Sequence, residues 1–139
     1  GASGNLVFAV KGRRSLRALE TLLETRFAET FGRRVPMILR SAGDFSALPA
    51  KNPFGRIHHP QRVAVRLMRN GYPPAFLDEL RRYVDDEDVA VVDGDLWIGF
   101  RSEPARSRVL SAFSRRRFFA EPGTFRALSM IARIAATLE

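Results

Sequence analysis

Cysteine is absent from the sequence. Its absence excludes disulfides, thiolate nucleophiles and thiolate zinc sites together. Long apolar runs are absent as well: no stretch approaches the roughly 20 residues that a helix needs to cross a bilayer. Residues 1–8 hold no basic region followed by an apolar one, so no signal peptide is expected and a cytoplasmic location fits. Histidine is confined to His58 and His59. Neighbouring side chains point apart, and a structural metal wants about four ligands, so the pair reads as loop polarity. No metal and no cofactor are expected. There is no phosphate-binding Gly-x-x-x-x-Gly-Lys loop, no Gly-x-Gly-x-x-Gly turn and no nucleophile placed near a histidine. No catalytic residue stands out, and an enzyme of unknown reaction is kept only as an alternative.

Lysine is nearly absent too. Lys11 and Lys51 are the only two, and the rest of the 23 basic residues are arginines. Against 15 acids they leave a net charge of +8. One explanation of the arginine excess is genomic composition. The other is phosphate binding, because a planar guanidinium forks onto phosphate with two hydrogen bonds. The charge is unevenly spread. Residues 51–75 hold five bases and no acid, whereas residues 76–100 hold eight acids and two bases. Such blocks either steer an anionic partner or pair with each other inside the fold.

Apolar residues make up 45%, a globular composition. Residues 6–10 read as a strand. Leu16, Leu19, Leu23, Phe27 and Phe31 recur at helical spacing, with Ser15 as N-cap and Gly32 as the stop. A strand at 35–39 and a short helix at 41–50 follow. Residues 51–61, with Pro53, Gly55 and Pro60, form the candidate linker. Residues 62–68 alternate Val63, Val65 and Leu67 against Arg62 and Arg66, a half-buried strand with a basic outer face. Pro73 and Pro74 open a helix to about Val84. Two β-rich runs around Asp93-Gly94 predict a hairpin with a type I′ turn. A helix over 105–118 and a last helix capped by Thr124 complete the chain. The last helix would turn Phe125, Leu128, Ile131 or Ala132, Ala135 and Leu138 inward. The class is α+β, with a small mixed sheet and a hairpin packed by helices in the second subdomain. The domains read as 1–50, a linker at 51–61, and 62–139.

Several short runs carry a resemblance: Ser3-Gly4-Asn5 leading into a strand, Phe31-Gly32 before Val35-Pro36, Asn52-Pro53-Phe54, Arg106-Ser107-Arg108, and Thr124 to Ser129 around Arg126. In order and spacing the set resembles the bacterial domain-of-unknown-function family 1697. The resemblance implies that residues 1–50 form half of a ferredoxin-like plait. It also implies that the family's first strand–helix–strand lies outside this chain. An open sheet edge would follow, suited to self-assembly or to a protein partner.

Two clusters are candidate anion sites. Arg106, Ser107 and Arg108 lie at the start of a helix, where unpaired N–H groups suit a phosphate; the alternative is a solvated first turn. Arg115, Arg116 and Arg117 with Phe118 and Phe119 combine charge with ring faces, the mixture that binds single-stranded nucleic acid. Their alternative is a basic helix end with both rings in the core. Arg62, Arg66 and Arg69 would widen the basic surface, with positions 62 and 66 sharing a strand face. The acidic run Asp85-Asp86-Glu87-Asp88 lacks the spacing of a calcium loop and reads as a solvated junction. The leading functional expectation is a non-catalytic module for a phosphate-rich ligand such as nucleic acid, and no membrane is expected as a partner.

Overall fold

The computed structural model describes residues 15–115 and 121–138. The strand expected at 6–10, the motif residues Ser3, Gly4 and Asn5, and Arg116, Arg117, Phe118 and Phe119 lie outside the described residues.

Helix α1 (Leu16–Phe31) starts and stops where its caps dictate. The Ser15 hydroxyl accepts from the Ala18 N–H at 3.1 Å, and Gly32 ends the helix at φ 76°. Its buried face differs from the apolar stripe in the sequence. Leu19 is buried, but Glu20 and Glu24 are buried beside it, whereas Phe31 is 66% exposed. The following segment explains this. The strand expected at 35–39 does not form: residues 35–40 belong to no helix or strand and pair with no strand of the sheet. The Met37 N–H donates to Glu24 Oε1 at 2.8 Å and the Leu39 N–H to Glu20 Oε2 at 2.9 Å. Two carboxylates of α1 thus take the donors that a neighbouring strand would have taken.

Helix α2 (Ala42–Ala47), capped by Ser41, runs into a 3-10 turn over Leu48–Lys51. Strand β1 (Val63–Met68) comes next, then α3 (Phe76–Leu80), and the hairpin strands β2 (Asp88–Val92) and β3 (Asp95–Gly99). Asp93 at φ 50° and Gly94 at φ 86° supply the two positive φ angles of the expected turn. Helix α4 (Arg108–Arg115), β4 (Gly123–Ala127) and α5 (Leu128–Thr137) complete the order.

The sheet runs β2-β3-β1-β4, and every pairing is antiparallel rather than mixed. Strand β4 replaces the first turn of the expected last helix. Phe125 pairs with Arg66 across the ladder, and α5 begins only at Leu128. Within α5, Leu128, Ile131 and Ala135 are buried as expected.

Both faces of the sheet are covered. On one face Met68, Leu96 and Ile98 pack with Phe76 and Leu80 of α3 and Val109 and Ala112 of α4. On the other, Val63, Val65, Leu67 and Trp97 pack with Leu48, Phe54, Leu128 and Ile131. The basic outer face expected for β1 therefore does not form, because α3 and α4 cover it. The α+β class holds.

Candidate anion-binding surface

Strand β1 places Arg66 on the face covered by α4. Its guanidinium carbon lies 5.0 Å from the ring centre of Phe113 on α4 and 5.0 Å from that of Phe125 on β4. The two rings meet edge to face, 5.1 Å apart. A cation between two ring faces gains electrostatic energy from both. Arg66 Nε donates to the Tyr72 hydroxyl at 3.1 Å, and Nη2 donates to the Glu121 carbonyl at 3.0 Å. Burial holds the Tyr72 hydroxyl above its ordinary pKa, against the opposing pull of Arg66. Arg66 is thereby tied to both ends of the α4–β4 connection. Arg115, exposed at the end of α4, lies two residues beyond Phe113, and Arg116 and Arg117 follow it in the chain.

The other expected basic residues have different surroundings. Arg62 donates to the Ser102 carbonyl at 3.1 Å and to Glu103 at 3.2 Å, so the structure does not join it to Arg66. Ser107 is buried, and its hydroxyl donates to Glu87 at 2.8 Å. Arg108 forks onto Asp85 at 2.8 and 3.1 Å. These bonds hold Asp85 below the usual carboxylate range and Arg108 above its own usual value. Arg106 is exposed on a 3-10 turn. The start of α4 thus already faces carboxylates.

The acidic run is quenched within the fold. Besides Asp85, Asp86 accepts from the Ser102 hydroxyl at 2.5 Å, and Glu87 accepts from the Asp85 and Asp86 N–H groups. Asp88 Oδ2 lies 2.6 Å from His58 Nε2 and 2.6 Å from Arg101 Nη2. His58 is buried edge-on to Phe54, and its ring occupies the space that a side chain on Gly99 would need. His59 is exposed and caps the 3-10 turn before β1. Among the described residues no cluster of three or more His, Asp or Glu side chains is placed to hold a metal.

The motif residues shape turns. Asn52 Oδ1 accepts from the Phe54 N–H and its amide donates to the Gly55 carbonyl, which fixes the bend at Pro53 and buries Phe54. Arg126 donates to Thr124 Oγ1 at 2.6 Å and to the Phe125 carbonyl at 2.7 Å on the outer side of β4.

A cleft of about 440 Å³ opens between α1, the 37–40 segment and the hairpin turn. Each basic side chain that lines it has a partner. Arg40 forks onto buried Asp95, Lys51 meets Asp93 at 2.7 Å, Arg69 contacts Glu20 and Glu24, and Arg17 donates to Asn70. Arg69, expected on the basic outer face, instead turns to Glu20 and Glu24, and nothing in the sequence marked Arg40 and Asp95, which pair across 55 residues.

No helix among the described residues is long and apolar enough to cross a membrane. Searches of the curated proteins and of the solved structures found no match. The profile of a family described as "Protein of unknown function (DUF1697)" matches residues 2–97, more than two thirds of the chain. The chain belongs to domain-of-unknown-function family 1697.

Proposed function

We propose that the chain is a binding module for a phosphate-rich anionic ligand, with single-stranded nucleic acid as the favoured class, and that the α4–β4 connection carries the site. The observation that supports this reading is the seating of Arg66 between Phe113 of α4 and Phe125 of β4, with Arg115 exposed at the end of α4 and Arg116 and Arg117 next in sequence. Cations and ring faces in one place are what stacked bases and their phosphates require. The quenched acidic run favours the same side. With Asp85 to Asp88 bonded to His58, Ser102, Ser107, Arg101 and Arg108, little unpaired negative charge is left there to repel an anion.

Fluorescence anisotropy with short single- and double-stranded oligonucleotides over a salt series tests the proposal. The expected result is preference for the single strand and affinity that falls with salt, because bound phosphates displace counterions. Absence of binding at low salt, or binding indifferent to salt, overturns it.

A further inference from the structure

The two edges of the sheet are unlike. In the hairpin, Val92 and Asp95 flank a two-residue turn and exchange the first pair of ladder bonds. Alternation then directs the backbone groups of Asp88, Ala90 and Val92 towards β3, and those of Val89 and Val91 outwards. The Phe100 N–H donates to the Arg62 carbonyl at 2.8 Å, which confirms that the even-numbered positions of β3 face β1 and the odd-numbered ones face β2. Among the described residues no strand pairs with this side of β2, so Val89 and Val91 present two N–H and two C=O groups along it. At the opposite edge, Arg126 bonds the outward carbonyl of Phe125, so β4 carries a charged side chain across its own edge. Strand β2 has no such device: its sequence is Asp-Val-Ala-Val-Val, without lysine, arginine or proline.

Beside β2 runs a groove of about 430 Å³ lined by Phe54, Ile57, Val84, Val89 and Ala90 among others. Ile57, at its rim, is 67% exposed. The edge is also self-complementary. Two copies of β2 laid antiparallel about a two-fold axis at Ala90 set Val89 against Val91 of the second copy and Val91 against its Val89. Four backbone hydrogen bonds then form, because both residues of each pair face the seam. Small Ala90 side chains meet at the axis, beside the groove that Ile57 also lines. At each end of the seam the Asp88–Arg101 pair of one copy neighbours the Asp93–Lys51 pair of the other.

We propose that β2 is a dimerisation edge that pairs with β2 of a second copy of this chain in the Val89-to-Val91 register, giving one continuous eight-stranded sheet. The contact is isologous and closes at two copies, since the outer β4 edges remain guarded. This proposal is independent of anion binding.

Sedimentation velocity over a wide concentration range, paired with amide exchange read residue by residue, tests it. The expected result is a species of twice the 15.6 kDa monomer mass. Exchange at Val89 and Val91 should slow as the dimer fraction rises, while Ala90 and Val92 are protected at every concentration. Val91→Pro removes an outward donor and no bond to β3, so it should abolish the dimer and leave a folded monomer. A strictly monomeric wild type overturns the proposal. So does a dimer in which Val89 and Val91 exchange at the monomer rate, a result that needs no variant to fold.

Discussion

Arg40 and Asp95 meet fork to fork, with Nη1 2.8 Å from Oδ2 and Nη2 2.7 Å from Oδ1. Asp95 Oδ1 also accepts from the Met68 N–H, and Arg40 Nη2 donates to the Met68 carbonyl. One buried carboxylate thus joins the segment after α1, the end of β1 and the start of β3. Asp95→Ala leaves a partly buried guanidinium and a buried N–H without their partner. It is expected to cost about 3 kcal/mol or more of stability, measured by denaturant unfolding. Asp95→Asn keeps the shape and one acceptor and should cost less. Equal losses would show that the fork is not the source.

The loop after β1 touches the hairpin turn through two glycines. A Cβ on Gly94 would lie 2.6 Å from the Gly71 Cα, and one on Gly71 would lie 2.8 Å from the Gly94 Cα. The Tyr72 N–H donates to the Gly94 carbonyl at 2.9 Å in the same contact. Gly71→Ala, at a position without positive φ, should cost about 1–3 kcal/mol by overpacking alone. Gly94→Ala adds the strain of φ 86° and should cost more. A Gly71→Ala protein with unchanged melting would contradict the close approach.

Trp97 is fully buried, yet its indole N–H has no hydrogen-bond partner among the described residues. An orphan donor in the core detracts from the stability that the ring provides. Trp97→Phe removes the orphan and keeps most of the apolar volume, so it should cost less than about 1.5 kcal/mol. Trp97→Ala opens a cavity and should cost about 3–5 kcal/mol. Thermal melts of the two variants decide; similar losses would imply that the N–H is satisfied.

Asp85 is held below the usual carboxylate range by the Arg108 bonds. Its folded pKa is depressed, so its contribution to stability is present above the ordinary carboxylate pKa and is lost as pH falls through the depressed value. The pair is exposed, so the effect is small. Stability measured from neutral to acid pH should fall less steeply in Arg108→Ala than in the wild type over that acid limb. Parallel curves would remove the pair from the account.

What the sequence disclosed follows from locality. The Asp93-Gly94 turn needed two positive φ angles, and Ser15 and Gly32 cap α1 through bonds within one helical turn. Strand β4 was hidden because Phe125, Leu128 and Ile131 also fit helical spacing, and pairing with β1 some 60 residues earlier decides the matter. The burial of Glu20 and Glu24 was hidden likewise. Their partners, Arg69 and the N–H groups of Met37 and Leu39, lie outside the helix that carries them. Alternation in β1 placed Arg66 outside, but α4, which covers that face, comes much later in the chain. Composition alone could not tell which arginines would be consumed by the acidic run and which left over.

The measurement that most directly tests the proposed function compares the wild type with an Arg115→Ala, Arg116→Ala, Arg117→Ala variant for binding of a short single-stranded oligonucleotide across salt concentrations, with circular dichroism confirming that both are folded. Three lost phosphate contacts should lower affinity at low salt and reduce the slope of log K against log salt by about 2. An unchanged slope and affinity in the folded variant would contradict the placement of the site at the α4–β4 connection.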